Sequence, residues 1–248
     1  MSESKLDLIA KMLAKAESTT PEEAEALTEH AERLMLKYGI EQARIDERRA
    51  KLGQSQEQIV QETQLFTGVY ARDLREMGGQ VTFALGTLRP LQKDVAGLGS
   101  ILYIVGFESD VRQARLLIAS LEVQAMVAMR AWWRANRPLF RYSSESEKRR
   151  ARSGFIRGFG AGASARIRRN RQTIVEDAGS GTDLVLSSRR DRVDAVVDEK
   201  KHPKARTRKP ADELTYAEGV RAGYEANTGE KNLTAGRALE SHSDEDAA

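Results

Sequence analysis

The side chains best able to do chemistry in this 248-residue chain are guanidinium and ammonium groups. They gather in four clusters: Lys148-Arg149-Arg150-x-Arg152, Arg166-x-Arg168-Arg169-x-Arg171, Arg189-Arg190-x-Arg192, and Lys200-Lys201-x-x-Lys204-x-Arg206-x-Arg208-Lys209. Such clusters attract phosphates by counterion release, which gives salt-dependent, sequence-independent affinity for DNA or RNA. On a helix, Arg166, Arg169 and Arg171 are expected along one sector. The aromatic residues interleaved with this block, Phe155 and Phe159, read as buried. A stacking platform for single strands is therefore not expected. The competing reading is a solvated face, or a partner for the chain's own acidic ends.

A second constellation is Asp183 with Asp198-Glu199-Lys200. Two carboxylates and a lysine can hold a divalent metal and assist an attacking water, as in restriction-type nucleases. Ala195-Val196-Val197 before Asp198 has the character of a strand. However, Arg189–Lys201 fits an amphipathic helix equally, with Val193, Val196 and Val197 inward, and Glu199 is polar where a buried strand wants an apolar residue. No catalytic residue is assigned on this basis; Asp183, Asp198 and Lys200 are the weak candidates.

Other motifs fail on spacing. Gly158-x-Gly160-x-Gly162 is not a dinucleotide fingerprint and follows no strand. Gly179-Ser180-Gly181 lacks the full nucleophile-elbow pattern. His30, His202 and His242 are far apart, and cysteine is absent, so thiolate zinc, disulfides and iron–sulfur ligation are excluded. No cofactor or metal is expected. Trp132-Trp133 reads as one core ring and one partly exposed ring.

Hydrophobic residues make up 40% of the chain and charged residues 31%, above the usual ~25%. The net charge of +3 hides segregation: residues 1–64 carry −4, 65–145 carry +3, 146–209 carry +10, and 210–248 carry −6. The N-terminus lacks a signal-peptide pattern, and no apolar run approaches a membrane span. A soluble cytoplasmic protein without a membrane partner is expected.

The elements that must position these groups begin with a helical hairpin. Leu6, Ile9, Leu13 and Ala16 share one helical face. After a break near Ser18, Thr20-Pro21-Glu22-Glu23 starts a second helix, with Thr20 as N-cap and Glu23 closing a capping box. Ala24, Leu27, Ala31, Leu34, Met35 and Tyr38 form its stripe, and Gly39 is the expected stop. Residues 41–51 read as a third, charged, solvated helix.

These residues carry a resemblance. Ile9-Ala10-Lys11-Met12-Leu13-Ala14-Lys15-Ala16, then Thr20-Pro21-Glu22-Glu23-Ala24-Glu25-Ala26, then Ala31 through Ile40 with its Tyr38-Gly39-Ile40 end, is similar to the domain of unknown function 2786 of bacteria and their phages. The likeness covers about the first 46 residues. It implies an uncharacterised α/β domain downstream. It implies no activity, cofactor or site residue.

Further on, Gln54–Thr67 reads as a polar linker with one strand candidate at Gln64-Leu65-Phe66. A helix is expected over 69–86, then a β-hairpin from Leu88–Val95 and Ile101–Phe107, then a long helix opened by Glu108-Ser109-Asp110 and ending near Asn136. Residues 137–145 read as a hinge and 145–175 as a basic helix whose glycines imply close backbone packing. Leu184-Val185-Leu186 suggests a short strand, followed by helices over 188–199 and 211–227. In the last, Leu214, Ala217, Val220 and Tyr224 form the apolar side.

The expected fold is a mainly helical α+β protein: an N-terminal αα-hairpin, a helix–β-hairpin–helix unit and further C-terminal helices. The expected units are 1–52, 60–136, a basic region at 145–240 packing with the second unit, and a disordered tail at 241–248. The expected function is non-enzymatic association with nucleic acid through Arg149, Arg150, Arg152, Arg166, Arg168, Arg169, Arg171, Arg189, Arg190, Lys200, Lys201, Arg206 and Arg208. The alternatives are a protein-interaction module using the N-terminal hairpin, and a metal-dependent nuclease.

Overall fold

The computed structural model describes residues 2–16, 19–53, 57–95, 97, 99–178, 181–199 and 212–225. Its elements are α1 (Ser2–Ala16), α2 (Pro21–Lys51), β1 (Ile59–Phe66), α3 (Ala71–Ala84), β2 (Arg89–Val95), β3 (Gly99–Phe107), α4 (Glu108–Asn136), a 3-10 turn (Arg137–Phe140), α5 (Glu145–Asp177), α6 (Thr182–Asp198) and α7 (Glu213–Glu225). This is a mainly helical α+β protein.

The sheet is antiparallel with order β1-β3-β2. The expected hairpin pairs Arg89 with Val105 and Val95 with Gly99. The strand candidate at Gln64–Phe66 is the end of an eight-residue strand, with Ile59 opposite Phe107 and Phe66 opposite Ser100. The central strand β3 is apolar-rich from Ile101 to Phe107, and helices cover both of its faces. Leu102 and Ile104 face α3 and α4 in the main core, while Val105 and Phe107 meet Val193 of α6.

One buried cluster joins the N-terminal hairpin to the rest of the molecule. Ile9, Leu13, Ala31 and Met35 share it with Phe66, Met77, Leu102, Ile118, Phe155 and Phe159. The Thr20 hydroxyl caps α2 by accepting the Glu23 N–H at 3.3 Å. The Glu23 carboxylate pairs with Lys15 at 2.7 Å and accepts from the Thr19 hydroxyl.

Three local expectations are corrected. Gly39 does not stop α2, which runs on to Lys51. A glycine costs a helix about 1 kcal/mol. That is outweighed because Ile40 and Ala43 pack with Ile174, Val175 and Leu186, and Asp46 meets arginines of α6. Residues 41–51 are thus not wholly solvated. Leu184-Val185-Leu186 is not a strand but the first turns of α6, where Leu186 is buried and Leu184 stays 74% exposed.

The third correction concerns α7. Leu214 and Ala217 are exposed; the buried face is Thr215, Gly219 and Gly223. This face lies directly on α5. A Cβ at Gly158 would overlap the Tyr216 carbonyl, one at Gly162 the Val220 carbonyl, and ones at Gly219 and Gly223 the carbonyls of Phe155 and Phe159. Gly158 and Gly162 serve close backbone approach, as the cost of glycine in a helix implied. Gly160 points the other way, with Met77 Cα of α3 only 2.9 Å from where its Cβ would stand.

Candidate nucleic-acid interface

The corner between α4 and α5 is built from strong local signals. Pro138 follows the last turn of α4 and prevents its continuation. The chain makes one 3-10 turn, and α5 restarts at a capping box: Ser144 Oγ accepts the Glu147 N–H at 3.3 Å, and the Glu147 carboxylate accepts the Ser144 N–H at 2.7 Å. These two devices set the angle at which the helices diverge.

Residues 130–152 of this corner carry eight basic side chains and two carboxylates. The cations lie on three elements. Arg134 comes from α4, Arg137 and Arg141 from the turn, and Lys148 and Arg152 from α5; together they rim an open groove of about 600 Å³ with Trp133 and Phe140 on its wall. Glu145 is the only carboxylate among the described residues lining it. Its pKa is held below the usual carboxylate range, first by the hydrogen bond from Lys148 at 2.9 Å and then by the charges of Lys148, Arg152 and Arg137. A positive field of this kind is what an incoming phosphate would meet.

Aromatic rings run through the same corner. Trp133 and Phe140 lie 5.2 Å apart, and the Arg152 guanidinium is 4.8 Å from the Trp133 centroid. Trp132 turns inward and stacks on Phe155 at 5.0 Å. Tyr142 is 91% exposed with the Arg141 guanidinium 5.2 Å from its ring, and Leu139 is 79% exposed. Phe155 and Phe159 are buried, as expected. The rings that meet cations are Trp133 and Tyr142, which precede the basic block in sequence.

The predicted arginines do not share one surface. Arg149 and Arg150 lie on the other side of α5 from the groove, beside Val69 and Arg72, where Arg149 donates to the Val69 carbonyl at 3.2 Å. Arg152 joins the groove. Arg168, Arg169 and Arg190 are exposed but far along the chain: Arg168 is about 24 Å up the helix axis from Arg152, at 1.5 Å per residue. Arg169 donates to the Tyr224 hydroxyl at 2.7 Å. Arg171 is half-buried with its guanidinium against Gly86, and burial lowers its pKa. The expected common sector for Arg166, Arg169 and Arg171 does not form.

Arg166 and Arg189 are corrections. Arg166 is 1% exposed and Arg189 4%, so neither can reach a phosphate at the surface. Arg189 instead gathers three carboxylates from three parts of the chain. Its Nη2–H donates to Glu57 at 2.6 Å, its Nε–H donates to Asp110 at 3.1 Å, and Nη1 stands 3.7 Å from Asp46. The guanidinium carbon lies 3.7 Å from the Phe107 centroid. Arg192 adds a second cation, at 3.0 Å from Asp46. Burial works against the Arg189 charge, but Asp110 and Glu57 outweigh it and raise its pKa. Burial pushes the Asp110 carboxyl up against the pull of Arg189 and Thr87. This cluster ties α2, the approach to β1, α4 and α6 together; it is structural.

Lys200, Lys201, Arg206 and Arg208 lie outside the described residues, as does the 241–248 tail. The nuclease constellation does not assemble: Asp183 and Asp198 occupy the first and last turns of α6, about 22 Å apart along its axis. Asp198 sits on a helix, not at a strand end. Among the described residues no group of three or more His, Cys, Asp or Glu side chains is placed to hold a metal ion. No helix among them is long and apolar enough to cross a membrane. The N-terminal hairpin, considered as a docking element, turns its stripe of Ile9, Leu13, Ala31 and Met35 into the protein's own core.

Fold and surface together define a small helical α+β protein with a cation-and-aromatic corner and a separate buried ionic cluster. Residues 5–42 match the family described as "Protein of unknown function (DUF2786)", a stretch that takes in most of α1 and about the first two-thirds of α2. No curated protein and no solved structure gives a match.

Proposed function

We propose that this protein binds nucleic acid without altering it, holding phosphates at the α4–α5 corner. The observation that supports this reading is the convergence of Arg134, Arg137, Arg141, Lys148 and Arg152 on one open groove where Glu145 is the only described carboxylate. Arg149 and Arg150 extend the positive surface around the first turns of α5. Arginine suits this role because its planar donor fork matches phosphate oxygens. The likeness of the N-terminal segment favours a bacterial or phage protein working in the cytoplasm, where nucleic acid is at hand.

The test is fluorescence anisotropy with labelled DNA and RNA, single-stranded and duplex, across a salt series. Binding whose logarithm falls linearly with the logarithm of salt is expected. Absence of binding to every probe at low salt would overturn the reading.

A further inference from the structure

We propose that the corner takes single-stranded nucleic acid, with an unpaired base stacked on Tyr142 and its phosphate held by Arg141. This rests on the nucleic-acid reading above and names the form of the ligand. Two large side chains, Tyr142 at 91% and Leu139 at 79% exposure, stand in water at the apex of the corner. The corner is anchored at both ends, by Pro138 on one side and the Ser144–Glu147 capping box on the other. An exposed ring on an anchored turn offers a held, open face to a ligand, since the fold covers little of it.

The neighbours of Tyr142 decide the ligand's chemistry. Arg141 lies 5.2 Å from its ring, close enough to bind the phosphate beside a base stacked there. The Trp133–Phe140 pair, with Arg152 over Trp133, repeats the combination of ring and cation inside the groove. Alternation of aromatic faces with cations is how single strands are held, because every base has a face and every nucleotide a charge.

A duplex fits less well. Its base faces are hidden in the stack, so Tyr142 and Leu139 would stay uncovered. Reading a major groove, about 12 Å wide, calls for a helix that presents a bare basic face. Here Lys148 and Arg152 turn into the groove against α4, while Arg149 is tied to the Val69 carbonyl on another side of α5. The cations are arranged around a cleft, not along a ridge.

The experiment uses the full chain and four probes at one moderate salt concentration. These are a labelled single strand, its duplex, an abasic strand of equal length with the same phosphates, and polyglutamate. The single strand is expected to bind roughly 5- to 150-fold more tightly than the abasic strand, the range for one stacked base. It is also expected to bind more tightly than the duplex and polyglutamate. Tyr142→Ala should bring the single strand close to the abasic affinity, and Tyr142→Trp should keep it tight. Tyr142 is nearly fully exposed, so these variants retain the fold, which circular dichroism checks. Equal affinity for the abasic strand, for the duplex or for polyglutamate overturns the proposal, as does an unchanged Tyr142→Ala. In each of those cases binding itself survives, whereas failure of every nucleic-acid probe at low salt removes the underlying reading as well.

Discussion

Arg189 Nη2 donates to Glu57 Oε2 at 2.6 Å, closing 132 residues of sequence with one hydrogen bond. The same guanidinium serves Asp110 and Asp46, so its loss would leave Asp46 and Asp110 buried and Glu57 partly buried, with Arg192 beside Asp46 and the more distant charge of Arg171 to compensate them. We expect Arg189→Met to lower stability by about 3–5 kcal/mol at neutral pH, the usual cost of stranding buried charge. The pH dependence has a definite sign. Asp110 already sits above its ordinary range through burial, and removing Arg189 raises it further. A carboxyl with a raised folded pKa weakens the native state as pH rises through that value. The deficit of Arg189→Met relative to wild type should therefore be largest at pH 7 and narrow on acidification. Urea denaturation at pH 5 and pH 7 measures it; an equal deficit at both would contradict the argument.

Asp94 gives the opposite sign. Burial pushes its carboxyl up, but hydrogen bonds from Arg72 and Ser100 and the charges of Arg75 and Arg72 more than offset this, and its pKa falls below the ordinary 3.8. The Arg75 pair measures 2.5 Å and joins α3 to the end of β2. A carboxyl with a lowered folded pKa stabilises above its unfolded value, and the gain is lost as pH falls through the folded one. Asp94 is 37% exposed, which limits the loss in Asp94→Asn to about 1 kcal/mol. Thermal melts should separate the variant from wild type at pH 7 and bring the two together well below pH 3.8.

The α5–α7 contact predicts intolerance of any side chain. A Cβ at Gly162 would run into the Val220 carbonyl and the Tyr224 amide of the facing backbone. Gly162→Leu must drive the helices apart, at a cost at the upper end of the ~1–3 kcal/mol typical of overpacking, or beyond it. Limited proteolysis should then cut within Glu213–Glu225, which wild type protects. Resistance equal to wild type would show that α7 is held by something other than this crossing.

Charge removal at the corner should act without unfolding. Arg134→Ala and Arg137→Ala are each expected to reduce the slope of log affinity against log salt by about 1, with melting temperature unchanged. Arg168→Ala, about 24 Å away along α5, should leave that slope within error. Arg166→Ala should instead lower the melting temperature, because Arg166 is buried. A slope that responds equally to Arg134→Ala and Arg168→Ala would place the contact along the whole helix and not at the corner.

Much of the local structure was legible in the sequence because its signals act over a few residues. The apolar spacing of Val111, Ala114, Ile118, Leu121 and Ala125 marked α4, and all five are fully buried. The β-hairpin was marked by two strand-forming runs around Gly97 and Gly99, and the start of α2 by Thr20. The misreadings arose where partners distant in sequence decide. Gly39 is a stop signal only if nothing beyond it has a place to pack, and Ile40, Ala43 and Asp46 do. The inner face of α7 was sought among large apolar residues, but two backbones in contact select glycine.

The candidate site shows the same division. Composition and spacing alone established that the chain is rich in cations at 146–209, that it lacks cysteine, and that helices would carry most of its charge. They could not say which arginines are outside. A guanidinium at Arg189 and one at Arg150 are the same chemistry in one dimension. Burial of the first among Asp46, Glu57 and Asp110, and exposure of the second, follow from contacts across 79 to 143 residues. The grouping of Arg134, Arg137, Arg141, Lys148 and Arg152 around Trp133 and Phe140 likewise exists only once α4 turns back into α5. Pattern sets which elements form, because it is local. Which side chains share a surface depends on long-range packing, and that is what the tertiary structure decided.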